Sequence, residues 1–169
     1  RTLYDSEWMR LALVDVELPS GPRFEHHVVR MPAEAAGVVV DDPARGVLLL
    51  WRHRFITDTW GWEVPAGRVD DGESAVDAAT RETLEESGWR PGLLVPLTRY
   101  FPNNGTTDAA FNIFLATSAT HVGEPTDPDE AERVEWLSWN AVRSEIAGGR
   151  IRDGLSLTGL LYRLAFTDH

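Results

Sequence analysis

The stretch from Gly67 to Trp89 constrains this chain more than any other. It opens on a glycine, places Ser74 ahead of the small residues Ala75, Val76, Ala78 and Ala79, and closes on Gly88. Serine is a good N-cap and glycine the natural residue just past a helix end, which predicts a helix from about Ser74 to Gly88. The small residues make its packing face. Glu82, Glu85 and Glu86 stand late in that helix at spacings of three and four, which puts all three carboxylates on one side. Like charges that close repel one another, and a counter-ion relieves the repulsion. Hard oxygen donors suit Mg²⁺ or Mn²⁺. A solvated acidic face is the plain alternative, and the residues around the glutamates weigh against it.

Gly67 is followed after five residues by Glu73 and after seven more by Arg81-Glu82-Thr83-Leu84-Glu85-Glu86-Ser87-Gly88-Trp89. This resembles the Nudix box, Gly-x5-Glu-x7-Arg-Glu-U-x-Glu-Glu-x-Gly-U, where U is bulky and apolar. The one departure is Thr83, where an aliphatic residue is usual. That position packs helix on sheet, so the expected cost falls on packing and not on chemistry. The resemblance implies an α+β fold, an α/β/α sandwich around a mixed β-sheet, and hydrolysis of a diphosphate with the help of a divalent ion. Glu82 and Glu86 are then the best pair of metal ligands, with Glu85 bridging or holding a second ion. The main-chain carbonyl of Ala66 or Gly67 is a further ligand by the same resemblance. Bound ions neutralise phosphoryl charge and make water a better nucleophile. Glu73 and Arg81 are expected to pair structurally, with Arg81 also steering Glu82.

The box is similar in setting to the ADP-ribose and nucleotide-sugar pyrophosphatase branch, through Trp51-Arg-His-Arg-Phe55 and Trp62-Glu-Val-Pro-Ala-Gly67 upstream and the segment 149–161 downstream. That branch takes its general base from a glutamate on a late loop ahead of an apolar strand. Glu130, Glu132 and Glu135 are the candidates, and Glu132, in Glu132-Arg-Val-Glu-Trp136, fits best. Glu132, Glu85 and Glu86 are thus the expected catalytic residues. A solvated acidic loop is the alternative for this run. Arg52 and Arg54 share a strand face by period two and are placed to fork phosphate oxygens, Arg54 the better of the two by resemblance. Trp62, with Trp60 and Trp8 as further candidates, offers a ring to stack on a purine, against the alternative of a core role. The branch's marker proline, 15 residues past the box, is here Asn104, and Ala109 stands where a glutamate or glutamine is usual.

With 169 residues, 43% of them hydrophobic, the chain can build one domain with a sizeable core and a small appendage. A net charge of −11 argues against nucleic acid and anionic membranes as partners, so an anionic substrate needs metal ions or local arginines. There is no cysteine, no apolar run of about 20 residues and no signal-peptide pattern, and cytoplasm is the default. Residues 10–18 and 24–31 read as strands flanking a Pro-Ser-Gly-Pro turn. An isolated hairpin is marginal in water, so 1–34 is expected to lie on the main domain, 35–169, or on a partner subunit in a homodimer. Further strands are expected over 35–40, 46–52, 60–64, 92–100, 111–117 and 133–137, and helices over 140–147 and 156–165.

The expected function is hydrolysis of the diphosphate of ADP-ribose or a related nucleoside diphosphate sugar, giving a nucleoside monophosphate and a sugar phosphate. The alternatives are a Nudix hydrolase of nucleoside triphosphates or dinucleoside polyphosphates, and a non-catalytic nucleotide sensor. On this reading Glu86→Gln cuts activity by several orders of magnitude without unfolding the chain.

Overall fold

The computed structural model describes residues 1–126 and 131–166. Seven strands come first: β1 (Thr2–Asp5), β2 (Arg10–Glu17), β3 (Arg23–Arg30), β4 (Ala35–Asp42), β5 (Gly46–Arg54), β6 (Thr59–Glu63) and β7 (Ala66–Arg68). Helix α1 (Ala75–Ser87) follows. Then come β8 (Trp89–Pro91), β9 (Val95–Tyr100), β10 (Phe111–Ala116), β11 (Ala119–His121), β12 (Arg133–Leu137), α2 (Trp139–Ala147) and α3 (Gly154–Phe166).

The main sheet has the order β12-β5-β4-β10-β9, with β6 added to β5 and β7 to β4. It is mixed: β10 runs parallel to β4 and antiparallel to β9. Val38 to Val40 and Val47 to Leu50 are fully buried, because both faces of the sheet are covered. Alternation divides them between two cores. Val38, Val40 and Leu48 pack with Ala78 and Ala79 of α1. Val39, Val47 and Leu49 pack on the other side with Val142 of α2 and Leu155 and Leu160 of α3. The α/β/α layering is as expected.

Helix α1 ends where its caps predicted. Ser74 Oγ accepts from the Asp77 amide, and Gly88, at φ 74°, donates its amide to Leu84 O. The packing face differs in one residue: Ala78 and Ala79 are buried but Val76 is exposed, so the buried stripe runs through Thr83 and Glu86 instead. Thr83 is fully buried, and its hydroxyl donates to Ala79 O at 2.7 Å, which satisfies the polar atom within the helix.

The expected N-terminal hairpin is a three-stranded antiparallel sheet, since β1 adds to β2. It lies against the main domain through the loop that holds Asn104. The Val29 amide donates to Thr106 O at 2.8 Å, the Met31 amide to Asp108 Oδ1 at 2.9 Å, and Arg30 pairs with Asp108 at 3.1 Å. Among the described residues no helix is long and apolar enough to cross a membrane.

Candidate active site

The box converges on Arg81. Its Nε and Nη2 donate to the Glu73 carboxylate at 3.0 and 2.9 Å, its Nη1 to Glu82 at 2.7 Å and Glu85 at 3.1 Å, and its Nη2 also to Arg68 O at 3.0 Å. One guanidinium therefore ties the loop after β7 to both outer carboxylates of the helix. The bond from Arg81 holds the Glu73 carboxyl below the usual carboxylate range, and Glu73 in turn raises Arg81 far above its own.

Gly67 explains how the helix comes so close to that loop. A Cβ at this position would lie 2.1 to 2.4 Å from the Glu82 carboxylate atoms, so a larger residue would push that carboxylate aside. Ala66, next in line on β7, donates its amide to Glu86 Oε2 at 2.9 Å. The loop and the glutamate face are thus in direct contact, through the Ala66 amide.

Glu86 is only 1% exposed and accepts from Arg52 Nη1 at 2.6 Å. Arg52 is itself buried on β5, so the expected phosphate fork is divided. Arg52 belongs to the carboxylate face. Arg54 lies half-exposed and is engaged by Glu63, with Nε at 3.0 and 3.1 Å from the two carboxylate oxygens and Nη2 at 2.5 Å. Trp62, expected against substrate, is 6% exposed and sits in the core, while Trp60 on the same strand is 46% exposed and stacks on Trp51 at 6.2 Å. Its burial leaves Trp62 as a packing residue. Trp8 is exposed beyond the main sheet.

Arg52, Arg54 and Glu63 form one wall of a cleft of about 670 Å³, closed by Phe55, Ile56 and Thr57 of the β5–β6 turn and by Arg152 and Asp153 ahead of α3. Its size suits a drug-sized or nucleotide-sized ligand. Asp153 Oδ2 caps α3 by accepting from the Ser156 amide at 2.8 Å and hydroxyl at 2.9 Å, and Ser156 Oγ accepts the Val64 amide at 3.0 Å. That chain of bonds locks the strand leading to the box against the opposite wall of the cleft.

Glu132 is exposed and ends the loop before β12; its amide donates to Trp51 O at 2.9 Å, one residue from Arg52. It lines a second cleft with Ser87, Trp89 and Glu124 beside the end of α1. Glu135 pairs with Arg133 at 3.2 Å, and Glu130 lies outside the described residues. Glu63 was missed by sequence reasoning, although its place two residues before the Pro-Ala-Gly turn was visible; only the pairing of β5 with β6 connects it to Arg54.

Among the described residues no three His, Asp or Glu side chains already form a ready-made ion cage. Glu82, Glu85 and Glu86 are instead engaged by Arg81 and Arg52. The donor set nevertheless fits a divalent cation in kind: three carboxylate side chains on one helical face, against a main-chain segment that glycine brings into contact.

A NUDIX domain model matches residues 31–155. The chain is 40% identical over 161 residues to a CMP-5'-(N-acetyl-N-hydroxy-3-aminopropyl)phosphonate hydrolase of Streptomyces rubellomurinus, covering 95% of this chain and 78% of that protein. It is 29% identical over 133 residues to an ADP-ribose pyrophosphatase of Bacillus subtilis, covering 79% and 71%. The crystal structure of an ADP compounds hydrolase superposes with a TM-score of 0.79 at 20% identity, covering 96% of this chain and 88% of that one, and speaks to the fold alone. By its box, its fold and these likenesses, the chain belongs to the Nudix family of hydrolases.

Proposed function

We propose that this Nudix hydrolase splits the bridge between two phosphorus atoms in a nucleoside 5'-diphosphate derivative, with ADP-ribose or a related nucleotide sugar as the first substrate class. The observation that carries this is the carboxylate face of α1: Glu82, Glu85 and Glu86 beside Ala66 and Gly67, with Arg81 and Arg52 among them. Glu82, Glu85, Glu86 and the Ala66 carbonyl are the residues that would hold Mg²⁺, or Mn²⁺ in its place. Such an ion supplies charge neutralisation at the phosphoryl oxygens and a more acidic water. Arg54 binds an anionic oxygen of the substrate from the cleft, Arg52 fixes Glu86, and Glu132 takes the proton from the attacking water. The products are a nucleoside monophosphate and a sugar phosphate.

A second substrate is favoured by the 40% identity to the CMP-linked phosphonate hydrolase. Both substrates join a nucleoside monophosphate to a second phosphorus, so one site chemistry serves either. Cytoplasm is the proposed compartment. A homodimer is the proposed assembly, with 1–34 as a separate β region, since Tyr4, Trp8 and Phe24 are exposed on or beside its sheet.

The test is incubation with ADP-ribose, with CMP-linked aminopropylphosphonate and with a nucleoside triphosphate in Mg²⁺, followed by chromatography of the products. AMP with ribose 5-phosphate supports the first substrate, and CMP with free phosphonate the second. Hydrolysis of the triphosphate alone would refute the diphosphate assignment.

A further inference from the structure

We infer that Glu63 is a positioning residue, which sets Arg54 to bind an anionic phosphoryl oxygen at the cleft. It rests on the cleft being where the nucleoside diphosphate derivative enters. Glu63 is 5% exposed, while the Arg54 side chain is 49% exposed. The pair is therefore one-sided: its carboxylate is set in the protein and its guanidinium stands at the cleft. In the β5–β6 ladder Arg54 lies opposite Thr59, Arg52 opposite Gly61 and Leu50 opposite Glu63. All of these share one face of the hairpin by period two. Arg54 reaches back along that face, past a glycine, to meet Glu63.

The bonds use only one edge of the guanidinium. Nε meets both carboxylate oxygens and Nη2 meets one, which leaves Nη1 as a donor beyond the pair. A planar guanidinium clamped along one edge has its remaining N–H groups fixed in direction, and oxyanions are recognised by such fixed forks. The bond from Glu63 raises Arg54 above its ordinary value, against the lowering by burial and by Arg52. The Arg52–Glu86 pair is buried on both sides. Glu63 instead has a partner that faces solvent.

The test is a double-mutant cycle on the intact chain, with Arg54→Ala, Glu63→Gln and both together. The readouts are ADP affinity by calorimetry, and KM and kcat for whichever substrate the wild type hydrolyses. Arg54→Ala should weaken ADP and raise KM at least about tenfold, and Glu63→Gln should do so about three- to tenfold with kcat within about twofold. The double variant should match Arg54→Ala. Glu63→Asp, which keeps the charge but withdraws it, should fall between wild type and Glu63→Gln and guards against a misfolded glutamine variant. If Arg54→Ala weakens binding while both Glu63 variants bind as wild type, or if the two effects add fully, the positioning role is overturned. If Arg54→Ala changes nothing, or the wild type binds no ADP, the cleft itself is misassigned and the inference falls with it.

Discussion

Glu86→Gln was expected to cut activity without unfolding the chain, and the burial of Glu86 adds a cost in stability to that expectation. The carboxylate is 1% exposed and accepts from a buried guanidinium at 2.6 Å and from the Ala66 amide at 2.9 Å. Glutamine keeps the volume and one acceptor but removes the charge opposite Arg52. Removing one partner of a buried ion pair costs about 3–5 kcal/mol, because a buried charge loses its compensation. The retained amide oxygen places Glu86→Gln near the low end, about 3 kcal/mol. In a domain of this size each kcal/mol moves Tm by roughly 2–4 °C, so Tm should fall by roughly 6–12 °C. Thermal unfolding followed by circular dichroism measures this, and the same samples are assayed for hydrolysis. Adding Arg52→Met should restore much of the lost Tm without restoring activity, since an apolar replacement of a buried pair is often near neutral. A Glu86→Gln protein that melts within about 1 °C of wild type would refute the reasoning from the buried pair.

Thr83→Val should be neutral or stabilising by up to about 1 kcal/mol in urea unfolding, because the buried hydroxyl bonds only its own helix. A loss of more than about 1 kcal/mol would mean that this bond matters to the fold. At acid pH the sign follows from depressed carboxyls: Arg99 with Asn112 lowers Glu34, and Arg150 lowers Glu145. A carboxyl whose folded value lies below its unfolded one contributes stability above about pH 4.3, lost as pH falls through the folded value. Tm measured from pH 6 to 2.5 should therefore drop below about pH 4.3, and Glu34→Gln should flatten the drop. An unchanged acid limb in that variant would refute the assignment. EDTA should abolish hydrolysis and Mg²⁺ or Mn²⁺ restore it, and full turnover in excess chelator would contradict a metal-dependent reaction.

What was legible in the chain was local. Ser74 and Gly88 marked the ends of α1 because capping depends on a few neighbouring atoms. The runs at 35–40 and 46–52 marked the two central strands because burial on both faces demands apolar residues throughout. The short strands β1, β8 and β11 were not legible, since each exists only by pairing with a distant or neighbouring edge. Nor was the fate of the arginines. Arg52 and Arg54 stand two apart and look equivalent, yet one meets Glu86, 34 residues away, and the other meets Glu63. Period two placed Trp60 and Trp62 on a common face but carried no information on depth, and Trp62 lies deeper, in the core with Val142 and Ile151. The carboxylate face was legible in its residue types and spacing. Its guanidinium partners emerged only from the sheet.

In the proposed function Glu82, Glu85 and Glu86 form a divalent-cation site on α1. Mn²⁺ binding followed by electron paramagnetic resonance tests it most directly, on the wild type and on Glu82→Gln, whose side chain is less buried than that of Glu86. The wild type should bind Mn²⁺, and Mg²⁺ should compete for it. Glu82→Gln should weaken binding at least about tenfold while melting close to wild type. Mn²⁺ binding of equal strength in both proteins would mean that Glu82 does not hold the ion.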